Sequence, residues 1–159
     1  MKIYKHPEGK KMWDTYGGKE QISLSQPGVF ADCEDIKKIE SFDWPDPKYM
    51  DFSYPLELIE RGYIQEKAIF SGMWMPFFHI ICDFFGMENY FIKMYTNPAV
   101  VEAVTEKVLN FFLETNKQFL DLAADKIDLQ FFGNDLGSKF APLIGLDLFE
   151  QFLLPGIKK

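Results

Sequence analysis

The chain has 159 residues, 47% apolar and 26% charged, enough to bury one ordinary core and too apolar and varied for a disordered or collagen-like chain. Twenty-four acidic against 17 basic side chains give a net charge of −7, which repels phosphate backbones, so nucleic acid is not an expected partner. Lys2, Lys5, Lys10, Lys11, Lys158 and Lys159 read as solvated termini. Cys33 and Cys82 form neither a disulfide framework nor a C-x-x-C knuckle and fit the reduced thiols of a cytoplasmic protein. Met1 to Lys11 is polar and lacks the apolar core of a leader.

Residues 1–66 form an irregular N-terminal segment broken by Gly17-Gly18, Pro27-Gly28, Pro45, Pro47 and Pro55. Two short helices fit between the breaks. One spans Cys33 to Ser41 with Asp32 as N-cap; the other runs from Pro55 to Arg61 and stops at Gly62. Ala68 to Gly72 reads as a short buried strand. Pro76 then opens a helix that Gly86 stops, and a further helical run covers Asn89 to Tyr95.

Asn97-Pro98 opens the strongest helix, running to about Ala124. Val101, Val104, Val108, Phe112, Phe119 and Ala123 line one side; Glu102, Glu106, Asn110, Lys117 and Asp121 line another. Lys126 to Phe132 is the second strand, and Asp147 to Leu153 the last helix. Residues 67–159 therefore read βαβα, with parallel strands and outer helices, in a single incomplete domain covering 1–159. Ala68 to Met87 is long enough to span a membrane. It holds Gly72, Pro76, His79 and Asp83, and a strand plus a short helix explains it better, so no membrane is expected.

In parallel α/β folds, polar residues at the carboxyl ends of strands face the ligand. After the second strand these are Gly133, Asn134 and Asp135. Asp135 can orient a cationic ligand or act as a base, or Asn134 and Asp135 can simply satisfy a turn. After the first strand come Gly72, Trp74 and Met75, which can wall a flat apolar ligand or pack a core. His79, Cys82 and Asp83 share a helix face and are residue types found in metal sites. Three positions on one turn do not enclose an ion and no second cluster exists, so no metal site is expected in this chain. His79 reads instead as a hydrogen-bonded pocket or core histidine.

Trp44-Pro45-Asp46-Pro47, Phe70-Ser71-Gly72, Phe85-Gly86-Met87-Glu88 and Asn97-Pro98 together resemble the uroporphyrinogen decarboxylase family. The clearest stretch is Phe132-Gly133-Asn134-Asp135-Leu136-Gly137-Ser138, followed by Pro142-Leu143-Ile144 and Leu148 to Pro155. That family joins uroporphyrinogen decarboxylases with corrinoid-dependent methyltransferases on a (β/α)₈ barrel. The resemblance implies a partial TIM barrel, since a whole one takes about 250 residues. It implies a parent activity on a tetrapyrrole (uroporphyrinogen decarboxylation) or on a corrinoid-bound methyl group, with this fragment inactive by itself.

It places the turn that holds Asp135 at the ligand face, which gives Asp135 the catalytic role; Gly72, Trp74, Met75, His79 and Asn134 are the residues expected around the substrate. Zinc and a corrinoid would belong to a full-length methyltransferase relative; this chain brings no cofactor of its own. A second reading is a non-catalytic binding or assembly module that completes its barrel with another chain, by self-association or with a complementing half.

Overall fold

The computed structural model describes residues 3–23, 25–72 and 76–159. They form two compact units, Met1–Met12 with Pro45–Met75 and Phe111–Gly133, and Trp13–Trp44 with Pro76–Asn110 and Asn134–Lys159. About half of the described residues are helical.

In the first unit an aromatic edge and one long helix make the core. Tyr4 bridges Met50 and packs edge-on against Tyr49 and Phe111. Helix α2, Ser53–Ile64, begins where Asp51 Oδ1 accepts from the backbone N–H and the hydroxyl of Ser53. It continues past Gly62, whose bare Cα leaves room for the Ile69 side chain. Ile59 and Ile69 pack with Phe119 and Ala123. Strands β1, Phe70–Ser71, and β2, Leu129–Gln130, pair in parallel with Phe70 opposite Leu129.

In the second unit α1, Ile36–Glu40, is shorter than the spacing predicts, and its N-cap is Asp35 rather than Asp32. Glu34 is drawn away from the helix: its carboxylate accepts from the buried Lys93 ammonium at 2.6 Å and from Asn97 at 2.5 Å. Helices α3, Phe77–Phe85, and α4, Met87–Thr96, follow the expected breaks at Pro76 and Gly86. Phe30, Phe42, Trp44 and Phe84 interlock at centroid separations of 5.0 to 5.9 Å.

Helix α5, Pro98–Ala123, contributes residues 98–110 to the second unit and 111–123 to the first. Val101, Val104, Val108, Phe112, Phe119 and Ala123 are all buried, and Glu102, Glu106, Asn110, Lys117 and Asp121 are all exposed. The 3.6-residue period accounts for this long helix directly.

The C-terminal helical run extends from α6, Leu146–Leu148, through a π-helical turn at Phe149–Leu153 into α7, Leu154–Ile157. It runs past Leu153, where the sequence ends the last helix, and through Pro155-Gly156. Proline lacks an N–H for the i−4 carbonyl, and the widened turn just before it absorbs that missing bond.

The partial TIM barrel and its α/β class are not what the chain forms. The fold is predominantly helical, and among the described residues the sheet has two strands of two residues each. Barrel strands are covered on both faces, yet Phe70 is 71% exposed, Leu129 46% and Phe132 49%.

Local chemistry explains why the strands stay short. The Ile69 N–H is spent on Asp128 Oδ2 at 2.8 Å, a side chain standing where a ladder needs a backbone carbonyl. A 3₁₀ turn at Ala124–Lys126 takes the start of the expected second strand. Upstream, the proline and glycine breaks leave only the Tyr4–Met50 bridge among the described residues.

The tightest seam in the second unit is at Gly28. A Cβ there would lie 2.1 Å from the Asp83 carbonyl oxygen and 2.3 Å from that of Phe84. Backbone atoms at both positions leave nothing that can rotate aside. Gly28→Ala is expected to cost about 1–3 kcal/mol by overpacking. Gly137→Ala, whose Cβ would meet no atom closer than 4.0 Å, is expected to stay within about 0.5 kcal/mol. Urea denaturation of the two variants measures the difference.

Candidate functional site

Residues expected at the strand ends fall in different units: Gly72 and Gly133 in the first, Asn134 and Asp135 in the second. Gly72 leaves β1 with φ +147°, and a Cβ there would sit 1.9 Å from the Phe131 carbonyl oxygen. Close approach of the two strands accounts for the glycine. Trp74 and Met75 lie outside the described residues.

In the second unit, Asn134 Oδ1 accepts from the Phe78 N–H at 3.1 Å, one residue before His79. Helix α3 has no capping side chain of its own at Pro76, so Asn134 supplies the cap from 56 residues away. This fixes the loop 134–138 against the start of α3. His79 is half-buried, and its ring stands edge-on to that of Phe78.

Asp135 is exposed. Its Oδ1 accepts from the Gly137 N–H at 3.2 Å, a side-chain turn that orders the loop. The same loop is closed further on by Ser138, which donates to the Ala141 carbonyl, and by Leu143 N–H to Leu136 O. Asp135 therefore carries a solvent-facing charge on an ordered turn. That arrangement suits pairing with an N–H or cationic group of a ligand.

The cluster of titratable groups that lies deepest is elsewhere on α3. Asp83 is half-buried, and its Oδ1 accepts from the Tyr16 hydroxyl at 2.9 Å and from Gln21 Nε2 at 3.1 Å. Burial raises the Asp83 carboxyl above the usual carboxylate range, while the Tyr16 hydrogen bond, the His79 charge and Gln21 oppose that shift. Burial and the adjoining carboxylate both push the Tyr16 phenol up. Burial, with Asp83 beside it, pushes the Cys82 thiol up, leaving it protonated and unreactive.

The i, i+4 spacing of His79 and Asp83 is visible in the sequence. Tyr16 stands 67 residues away, and no local pattern announces it.

Among the described residues no three His, Cys, Asp or Glu side chains converge as a metal-binding group. A cleft of about 580 Å³ lies at the opposite ends of the strands, with Glu60, Lys67, Asp125, Lys126 and Asp128 among its walls. Its charges are partly neutralised within it: Lys126 pairs with Glu60 and lies over the Tyr63 ring. Among the described residues no helix is long and apolar enough to cross a membrane, and Ala68 to Met87 divides between β1, α3 and the start of α4.

The turn at Asp135 separates shape from charge. Asparagine keeps the accepting oxygen, so Asp135→Asn is expected to change stability by less than about 0.5 kcal/mol. Asp135→Ala, which loses the bond, is expected to cost about 1 kcal/mol or slightly less at this exposed position. Asn134→Ala is expected to cost about 0.5–2 kcal/mol through the lost cap on α3. Thermal and chemical denaturation check all three. No family model, curated protein or solved structure matches this chain.

Proposed function

We propose that the chain is part of a uroporphyrinogen decarboxylase-family protein and contributes the Asn134–Asp135 loop to a site for a tetrapyrrole or a corrinoid. The supporting observation is the exposed Asp135 carboxylate on an ordered loop just after the second strand of a parallel pair. The run Phe132 to Ser138 that carries the family resemblance is that same loop. A carboxylate there would accept from pyrrole N–H groups and stabilise a pyrrole that gains a proton during decarboxylation.

Among the described residues no donor set converges on a zinc ion, and zinc for methyl transfer would belong to a full-length relative. The test is an absorbance titration of the whole chain with uroporphyrin and, separately, with methylcobalamin. Saturable binding of either, weakened about tenfold or more by Asp135→Ala through loss of a charged hydrogen bond, is the expected result. Failure of both ligands to bind, or equal binding by the variant, refutes the assignment of Asp135.

The exposed strands favour a second reading, an assembly module whose sheet another chain extends. Isolated two-stranded sheets are marginal in water, and Phe70, Leu129 and Phe132 are too exposed for a finished parallel sheet. On this reading the chain self-associates or binds a hydrophobic dye strongly, and Phe70→Ser weakens both effects. A monomer in sedimentation that leaves the dye dark removes this reading.

A further inference from the structure

Asp83 joins two parts of the second unit that otherwise meet through apolar rings and main chain. On one side is α3. On the other is the irregular stretch that contains Tyr16, Gln21, Gly28 and Phe30. Tyr16 is buried and donates to Asp83 Oδ1, as does Gln21. Beyond them, Phe30 N–H donates to the Phe84 carbonyl at 2.8 Å, and Phe30 and Trp13 pack on the Phe84 ring. Asp83 is thus the ionisable fastening of this stretch to α3.

We infer that Asp83 acts as a proton-operated clasp, closed when its carboxyl group is protonated and loosened when it ionises. A neutral carboxyl group keeps both donors, because its carbonyl oxygen accepts from Tyr16 and Gln21 while the other oxygen carries the proton. An ionised one retains those bonds but holds a half-buried charge, and the deficit in solvation is largest when the stretch is closed.

The titratable groups facing Asp83 are Tyr16 from the irregular stretch and His79 and Cys82 from α3. The His79 charge opposes the rise of the Asp83 carboxyl, as the Tyr16 and Gln21 hydrogen bonds do, and burial outweighs all three.

The direction follows from linkage. Burial holds the carboxyl above its ordinary range in the folded chain. Between the unfolded and folded values the closed form binds the extra proton. Its contribution is complete below the unfolded value and falls as pH rises through the folded one.

Hydrogen exchange of residues 13–31, referred at each pH to the buried amides of α5, tests this between about pH 4 and about pH 8, a range that brackets a raised carboxyl group. The expected result is a severalfold fall in relative protection with rising pH. Asp83→Asn, which keeps an accepting oxygen and cannot ionise, should stay protected throughout. An unchanged pH profile in Asp83→Asn, or protection that grows with pH, overturns the inference. Tyr16→Phe provides an independent check should Asp83→Asn fail to fold. It removes a bond that favours the ionised form, so the loosening should move to higher pH; an unmoved midpoint also overturns the inference.

Discussion

The second unit depends on one backbone-to-backbone contact. Gly28 lies flush against the carbonyl oxygens of Asp83 and Phe84, and two residues on, Phe30 N–H donates to the Phe84 carbonyl. No side chain could be interposed at that seam. Because the main chains meet, the ring of Phe30 falls onto Phe84, and Phe42 and Trp44 complete the cluster. The same approach brings Tyr16 and Gln21 within reach of Asp83. A stretch with no regular structure of its own is thereby ordered by a helix distant in sequence.

Elements whose signal is local could be read from residues alone. The α5 period, the Pro76 and Gly86 bounds of α3 and the Pro98 opening of α5 needed no tertiary information. Elements decided by distant partners could not. Helix α1 lost its first turn because Glu34 answers Lys93 and Asn97, about 60 residues away. β1 begins only at Phe70 because Asp128, from the far side of three helices, takes the Ile69 N–H. The barrel expectation failed for a related reason. A run such as Ala68 to Gly72 has the composition of a buried strand, but composition carries no information about whether neighbouring strands exist to bury it.

The candidate site divides along the same line. Asn134 and Asp135 stand in the loop where their order in the chain places them, and Asn134 also has a structural duty, capping α3, that sequence spacing does not reveal. Gly72 is explained by the approach of β2 as fully as by any ligand. The Asp83 cluster shows the limit most clearly. Its helical half is an i, i+4 pair, and its other half comes from Tyr16 and Gln21 in a stretch with no periodicity to read.

One buried group has a spectroscopic consequence. Tyr90 is fully buried against Phe78, Phe85 and Phe91, and its hydroxyl has no hydrogen-bond partner among the described residues. Burial pushes its phenol far above the usual tyrosine range. In an alkaline ultraviolet titration this ring stays silent while the fold around it is intact. The phenolate band of Tyr90 then appears only when the packing around it comes apart. Together with Tyr16, whose phenol is also pushed up, Tyr90 gives the second unit its own optical marker of integrity, one that needs no added label.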